Sequence, residues 1–133
     1  MKALSAKGCR AVNLGCKARV ADNSGALIAR IISVKLGKPR RGTQQYVKIG
    51  DPIKVSVKKG LPEMKGKVFD AVFVRQKKPF RRFTGERVCF EDNAVVILKD
   101  EKGNPKGTQI KGPVPRELNE RWPSVVKIAK FVV

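Results

Sequence analysis

The stretch VRQKKPFRRF, residues 74 to 83, holds five cations, Arg75, Lys77, Lys78, Arg81 and Arg82, and no acid. The chemistry open to such a cluster is phosphate binding. Ammonium and guanidinium groups displace the counterions condensed on a nucleic-acid backbone, and the released ions drive association. Arginine adds a planar fork that can hold two phosphate oxygens at once. Two further segments repeat the pattern. GKPRRG (37–42) is a glycine-bounded loop carrying Lys38, Arg40 and Arg41. KKGLPEMKGK (58–67) sets Lys58, Lys59, Lys65 and Lys67 against the single acid Glu63. The opening sixteen residues are basic as well. One run of this kind is ordinarily a solvated face. Several of them, on a chain with net charge +19 and a pI near 10.5, point to a polyanionic partner, because an excess of that size works against the compact state until it is neutralised. Nucleic acid is the first reading. A membrane surface is a distant second and is not expected: the only amphipathic candidate, 124–133, is short and carries just Lys127 and Lys130.

Other chemistries find little to work with. The absence of histidine removes histidine triads and histidine metal sites. The cysteines Cys9, Cys16 and Cys89 are odd in number and form no CxxC pair, so they read as reduced thiols in a reducing compartment rather than as a metal set or a disulfide framework. The adjacent acids Glu91-Asp92 and Asp100-Glu101 lie at turn signals, and turn chemistry accounts for them. There is no P-loop, GxGxxG motif or nucleophile elbow. No enzyme activity, cofactor or metal is expected. Phe80 and Phe83 have two readings, stacking on unpaired bases or anchoring the loop on the protein. Aromatic residues are only 6% of the chain, which favours anchoring and argues against a single-strand binder with an aromatic platform.

The elements that must carry these cations are mostly strands. KARVA (17–21) runs into DNSG (22–25), a turn signal. ALIARIISV (26–34) is a long β-branched run that reads as a strand buried on much of both faces. IKVSVK (53–58) alternates, with Ile53, Val55 and Val57 on one side and Lys54, Ser56 and Lys58 on the other. KVFDAVFVR (67–75) is a further strand. RVCFE (87–91) and AVVILK (94–99) flank Asp92-Asn93, a hairpin signal. A chain of 133 residues accommodates one domain. Five or six strands close most economically into a small antiparallel barrel, since closure removes edges. Helix signals come late: PRELNERW (115–122), stopped before Pro123, and a turn capped by Ser124 with Val125, Ile128, Ala129 and Val132 on one face. The expected architecture is therefore mainly β. It is a single domain over 1–133, with an extended basic arm at 1–16, a five-stranded antiparallel barrel joined by short turns and longer basic loops, and one or two short helices at 113–133. No long apolar run opens the chain, so neither a signal peptide nor a membrane span is expected, and a cytosolic location follows.

Four strings add a resemblance. ADNSGA (21–26), AVFVRQKKPFRRFTG (71–85), FEDNAVVIL (90–98) and GTQIKGPVPREL (107–118) resemble, in order and spacing, the universal ribosomal protein family of the large subunit called L-fourteen. The likeness runs from about residue 17 to the end of the sequence. VKKGLPEM (57–64), FEDNA, Trp122-Pro123 and the extended arm look like its archaeal and eukaryotic branch. The first sixteen residues, with Cys9 and Cys16, lie outside the likeness. The resemblance implies a five-stranded barrel with a basic hairpin, bound to large-subunit ribosomal RNA near the face that meets the small subunit. It also implies contacts with neighbouring large-subunit proteins, with small-subunit RNA at a bridge, and with a factor that blocks subunit joining. By position it carries RNA contact to the cations of VRQKKPFRR and GKPRRG, and a subunit- or protein-facing role to Thr108, Gln109, Lys111, Arg116 and Glu117. RNA recognition is expected to be mainly of form and backbone. The alternative is a free translation factor or RNA chaperone on a similar barrel.

Overall fold

The computed structural model describes residues 2–35 and 45–133. Its strands, in chain order, are β1 (Ala6–Lys7), β2 (Val12–Asn13), β3 (Lys17–Val20), β4 (Ala26–Val34), β5 (Tyr46–Val47), β6 (Pro52–Gly60), β7 (Val68–Arg75), β8 (Phe80–Arg82), β9 (Arg87–Val88), β10 (Ala94–Ile97), β11 (Ile110–Val114) and β12 (Ala129–Val132). A 3-10 turn covers Arg116–Glu120, and one short helix, α1, covers Pro123–Lys127.

Five strands close into a barrel in the order β10-β3-β4-β6-β7, and β10 returns to β7. Four seams are antiparallel, as expected from the sequence; the β10–β3 seam is parallel, so the barrel is mixed. The alternation in IKVSVK is realised: Ile53, Val55 and Val57 are buried while Lys54 and Lys58 are exposed. Ala18, Ala29, Ile31, Val55, Phe73 and Val95 pack together in one core cluster. Met64 seals a smaller one with Ala26, Val57 and Ile97.

The strands buried on both faces are β7 and β10, and not β4. Along β7, Ala71 and Phe73 join the first cluster while Val72 and Val74 face a second. That second cluster is roofed by the C-terminal segment, through Ile110, Val114, Leu118, Trp122 and Val125. Among the described residues nothing comparable covers β4, whose outer side leaves Leu27, Arg30 and Ile32 exposed. The long apolar run at 26–34 thus reflects β-branched strand propensity more than two-sided burial. The C-terminal roof also differs from expectation. Pro123 occupies the first turn of α1, where its missing N–H costs nothing, so Trp122 and not Ser124 stands at the cap. The helix stops at Lys127, and β12 then pairs in parallel with β11. The Asp92-Asn93 turn does not join a hairpin either, since β9 pairs with β8 while β10 enters the barrel.

The DNSG turn fastens this roof to the barrel. Asn23 Oδ1 accepts from the backbone N–H groups of Thr108 (2.7 Å) and Gln109 (3.2 Å), and Asn23 Nδ2 donates to Thr108 Oγ1 at 2.8 Å. Gly25 takes φ +95°, a conformation open chiefly to glycine. The buried Asp22 carboxylate accepts from Ile97 N (3.0 Å), Ser24 N (3.3 Å) and Ser24 Oγ (2.5 Å). Asp22→Ala orphans the fully buried Ile97 N–H, and a loss of about 1–3 kcal/mol is expected. Burial raises the Asp22 carboxyl above its ordinary value of 3.8, against the opposing pull of the Ser24 and Ile97 hydrogen bonds. The folded state therefore holds this proton more readily than the unfolded state. The contribution of Asp22 to stability grows as pH falls through the raised folded value and levels off below 3.8. Denaturant titrations of wild type and Asp22→Ala across that range should show the gap between them widening on acidification. A narrowing gap would reverse the sign.

Candidate nucleic-acid interface

The basic hairpin is a small sheet of its own. Strands β8 and β9 pair through Phe80↔Val88 and Arg81↔Arg87, and β1 adds a third strand through Ala6↔Arg82 and Lys7↔Arg81. The N-terminal arm, which has no pattern to announce it, is thus part of the hairpin's support. Cys9 continues the contact: its Sγ lies 3.3 Å from the Pro79 carbonyl oxygen and accepts from Gln76 Nε2 at 3.2 Å. All three cysteines are free thiols.

The five cations of VRQKKPFRRF divide into two groups. Arg75, at the root, is 7% exposed. Its Nε and Nη2 grip the Asp92 carboxylate at 2.9 and 3.1 Å, and its Nη1 donates to the carbonyls of Lys111 (2.8 Å) and Pro113 (3.2 Å). Gly112 passes so close that a Cβ there would stand 2.6 Å from Arg75 Nη1. Arg82, 6% exposed, packs its Nε against Glu117 Oε1, and its Nη2 donates to Glu117 Oε2 at 3.4 Å and to the Val133 main-chain oxygen at 2.6 Å. These two guanidinium groups are engaged within the protein. Lys77, Lys78 and Arg81 are exposed, and no acid lies within ion-pair distance of any of them among the described residues. The aromatic pair divides likewise: Phe80 is buried and Phe83 is 76% exposed.

Lys58, Lys59, Lys65 and Lys67 are all exposed, around the end of β6 and the turn that follows it. That turn is fixed by Met64 N and Lys65 N donating to the Leu61 carbonyl at 3.0 Å. Lys38, Arg40 and Arg41 lie outside the described residues. Of the C-terminal set, Thr108, Gln109, Lys111 and Arg116 are exposed, whereas Glu117 is buried beneath Arg82. The acids that complete the buried pairs, Asp92 and Glu117, were not legible as partners, because each meets its arginine only through the tertiary fold.

The chain is similar over its length to known ribosomal proteins. The model of the family described as Ribosomal protein L14p/L23e matches residues 11–133. Large ribosomal subunit protein uL14 of Nanoarchaeum equitans is 49% identical over 133 residues, covering all of both chains. The proteins of the same name from Methanoregula boonei and Methanocorpusculum labreanum are 49% and 47% identical, again over the whole of both chains. A barrel of this topology, with a match across nearly the entire sequence, leaves one assignment: the chain belongs to the L14p/L23e family of ribosomal proteins.

Proposed function

We propose that this protein is a structural constituent of the large ribosomal subunit, working in the cytoplasm within the ribosome, and that it binds large-subunit ribosomal RNA through exposed cations on a rigid frame. The observation that carries the reading is the division within the hairpin. Arg75 and Arg82 are held inside by Asp92 and Glu117, and this fixes Lys77, Lys78 and Arg81 outward on a three-stranded platform. Such a platform suits a crowded phosphate surface, because its geometry is set before binding and little ordering cost remains. Lys58, Lys59, Lys65 and Lys67 supply further charge, and the 37–42 cations belong to the same proposal by resemblance. The exposed surface around Thr108, Gln109, Lys111 and Arg116 is proposed to face neighbouring large-subunit proteins, a bridge to small-subunit RNA, and a factor that blocks subunit joining. Glu117 contributes to that surface only by holding Arg82.

The reading is tested by binding the purified protein to large-subunit ribosomal RNA across a salt series, with unrelated duplex RNA as competitor. Affinity should fall steeply with salt while the preference for ribosomal RNA survives. Equal displacement by the competitor at every salt would mean generic polyanion binding and would sink the RNA-specific part of the proposal.

A further inference from the structure

The outer wall of the barrel across β3, β4 and β6 carries charge that the loop-centred reading leaves out. The register places Lys17 directly opposite Arg30, and Arg19 opposite Ile28, with Lys59 next in the same row on β6. Lys17, Arg19 and Arg30 all point outward, since the intervening Ala18 and Ala29 are buried in the barrel. Residues paired in this way sit roughly 4.5–5.5 Å apart at their Cα atoms, and like charges directly opposite one another destabilise a sheet.

No acid lies within ion-pair distance of Lys17, Arg19 or Arg30 among the described residues, and segment 36–44 contains no Asp or Glu that could serve. At the hairpin end of the wall, Lys17, Arg19 and Lys77 line a concavity of about 380 Å³ together with Glu91, Asp92 and Asn93. Asp92 is already neutralised by Arg75, so Glu91 is the single unpaired acid there against three cations.

We infer that this wall is a second RNA-backbone surface, in which Lys17, Arg19 and Arg30 join the Lys77 end of the hairpin to Lys59 on β6 as one continuous basic band. A polyanion laid along it relieves the repulsion between Lys17 and Arg30 that the free protein tolerates. Lys17 and Arg19 at alternate positions of β3, with Arg30 on β4 between the exposed Leu27 and Ile32 and with no aromatic side chain on either strand, suit phosphates rather than unstacked bases. The inference rests on the ribosomal RNA reading above and extends it to a surface that its loops do not include.

Two variants test it against wild type in the same RNA salt series. The triple variant Lys17→Gln, Arg19→Gln, Arg30→Gln should flatten the slope of log affinity against log salt by about 2–3, as the loss of three phosphate contacts requires. Arg30→Glu, which sets an acid opposite Lys17, should raise the melting temperature by roughly 1–3 °C while weakening RNA binding. Stability and affinity moving in opposite directions is a signature that a merely structural role would not produce. If wild type prefers ribosomal RNA but both variants match its affinity and slope, the wall is not an RNA surface and the inference falls alone. If the variants bind RNA normally yet fail to enter subunits, the wall meets an acidic protein instead, and the inference is likewise overturned. Absence of any RNA preference in wild type would remove the reading beneath it.

Discussion

Arg75→Ala is expected to cost about 3 kcal/mol of stability and to lower the melting temperature by roughly 10 °C, whereas replacing Lys77, Lys78 and Arg81 together should change stability by no more than about 0.5 kcal/mol. All four residues are cations of one ten-residue segment, so composition gives no reason to separate them. Burial does. Removing the Arg75 guanidinium strands the Asp92 carboxylate, whose side chain is 21% exposed, and frees the carbonyls of Lys111 and Pro113. A half-buried anion without its partner, with two carbonyls that each lose a donor, accounts for a large destabilisation. The three exposed cations leave nothing buried behind them. Their loss should appear in RNA binding, where three fewer phosphate contacts flatten the salt slope by about 2–3. Alanine at all five positions, including Arg82, would confound the two effects and should not leave the fold intact. Thermal melts of the single and the triple variant decide the matter. Equal melting temperatures for Arg75→Ala and wild type would refute the buried role, and a triple variant that melts as low as Arg75→Ala would refute the division.

That contrast marks the limit of what could be read from the sequence. Charge sums, strand alternation and turn residues are local quantities, and the features they govern were legible. The wall strands IKVSVK and KVFDAVFVR and the DNSG turn stand where their patterns put them, whereas the basic hairpin at β8 and β9 was implied by the family resemblance and the hairpin signal at Asp92-Asn93 was not realised. The fate of an individual arginine is not local. Arg75 meets an acid 17 residues away and Arg82 one 35 residues away, and no periodicity links them. The same holds for the covering of β7 and β10 and the exposure of β4, which depend on where the C-terminal segment docks. In the roof itself, Val125, Ile128, Ala129 and Val132 have helical spacing, but Val132 instead pairs with Val114 in a parallel strand. Short apolar segments are ambiguous between the two periods, and pairing with β11 decided this one. The opening segment has too little pattern to place its strands; Ala6–Lys7 pair with β8, itself only three residues long, and Val12–Asn13 pair with β5.

Glu117→Ala should weaken RNA binding although it removes an acid from a protein with net charge +19. Long-range electrostatics alone gives the opposite sign, since the variant gains one unit of positive charge and attraction to a polyanion rises. The structure gives the stronger term. Glu117 is 3% exposed and lies beneath Arg82, the residue that ties β8, the central strand of the hairpin sheet, to the C-terminal roof. Without it Arg82 keeps the Val133 carbonyl and, at 3.9 Å, the exposed Glu86. Neither replaces a buried carboxylate, so a loss of about 3 kcal/mol is expected. The loss falls on β8, a three-residue strand whose pairings to β1 and β9 are short, and the platform that presents Lys78 and Arg81 becomes less ordered before binding. A ligand that must then order it binds more weakly. Amide exchange across 80–88 should therefore speed up, and affinity for ribosomal RNA should fall with little change in salt slope, because the number of phosphate contacts stays the same. Glu117→Gln keeps the hydrogen-bond acceptor and should recover part of both losses. Tighter RNA binding by Glu117→Ala, with exchange across the hairpin unchanged, would show that Arg82 does not need its partner and that the hairpin stands without the roof.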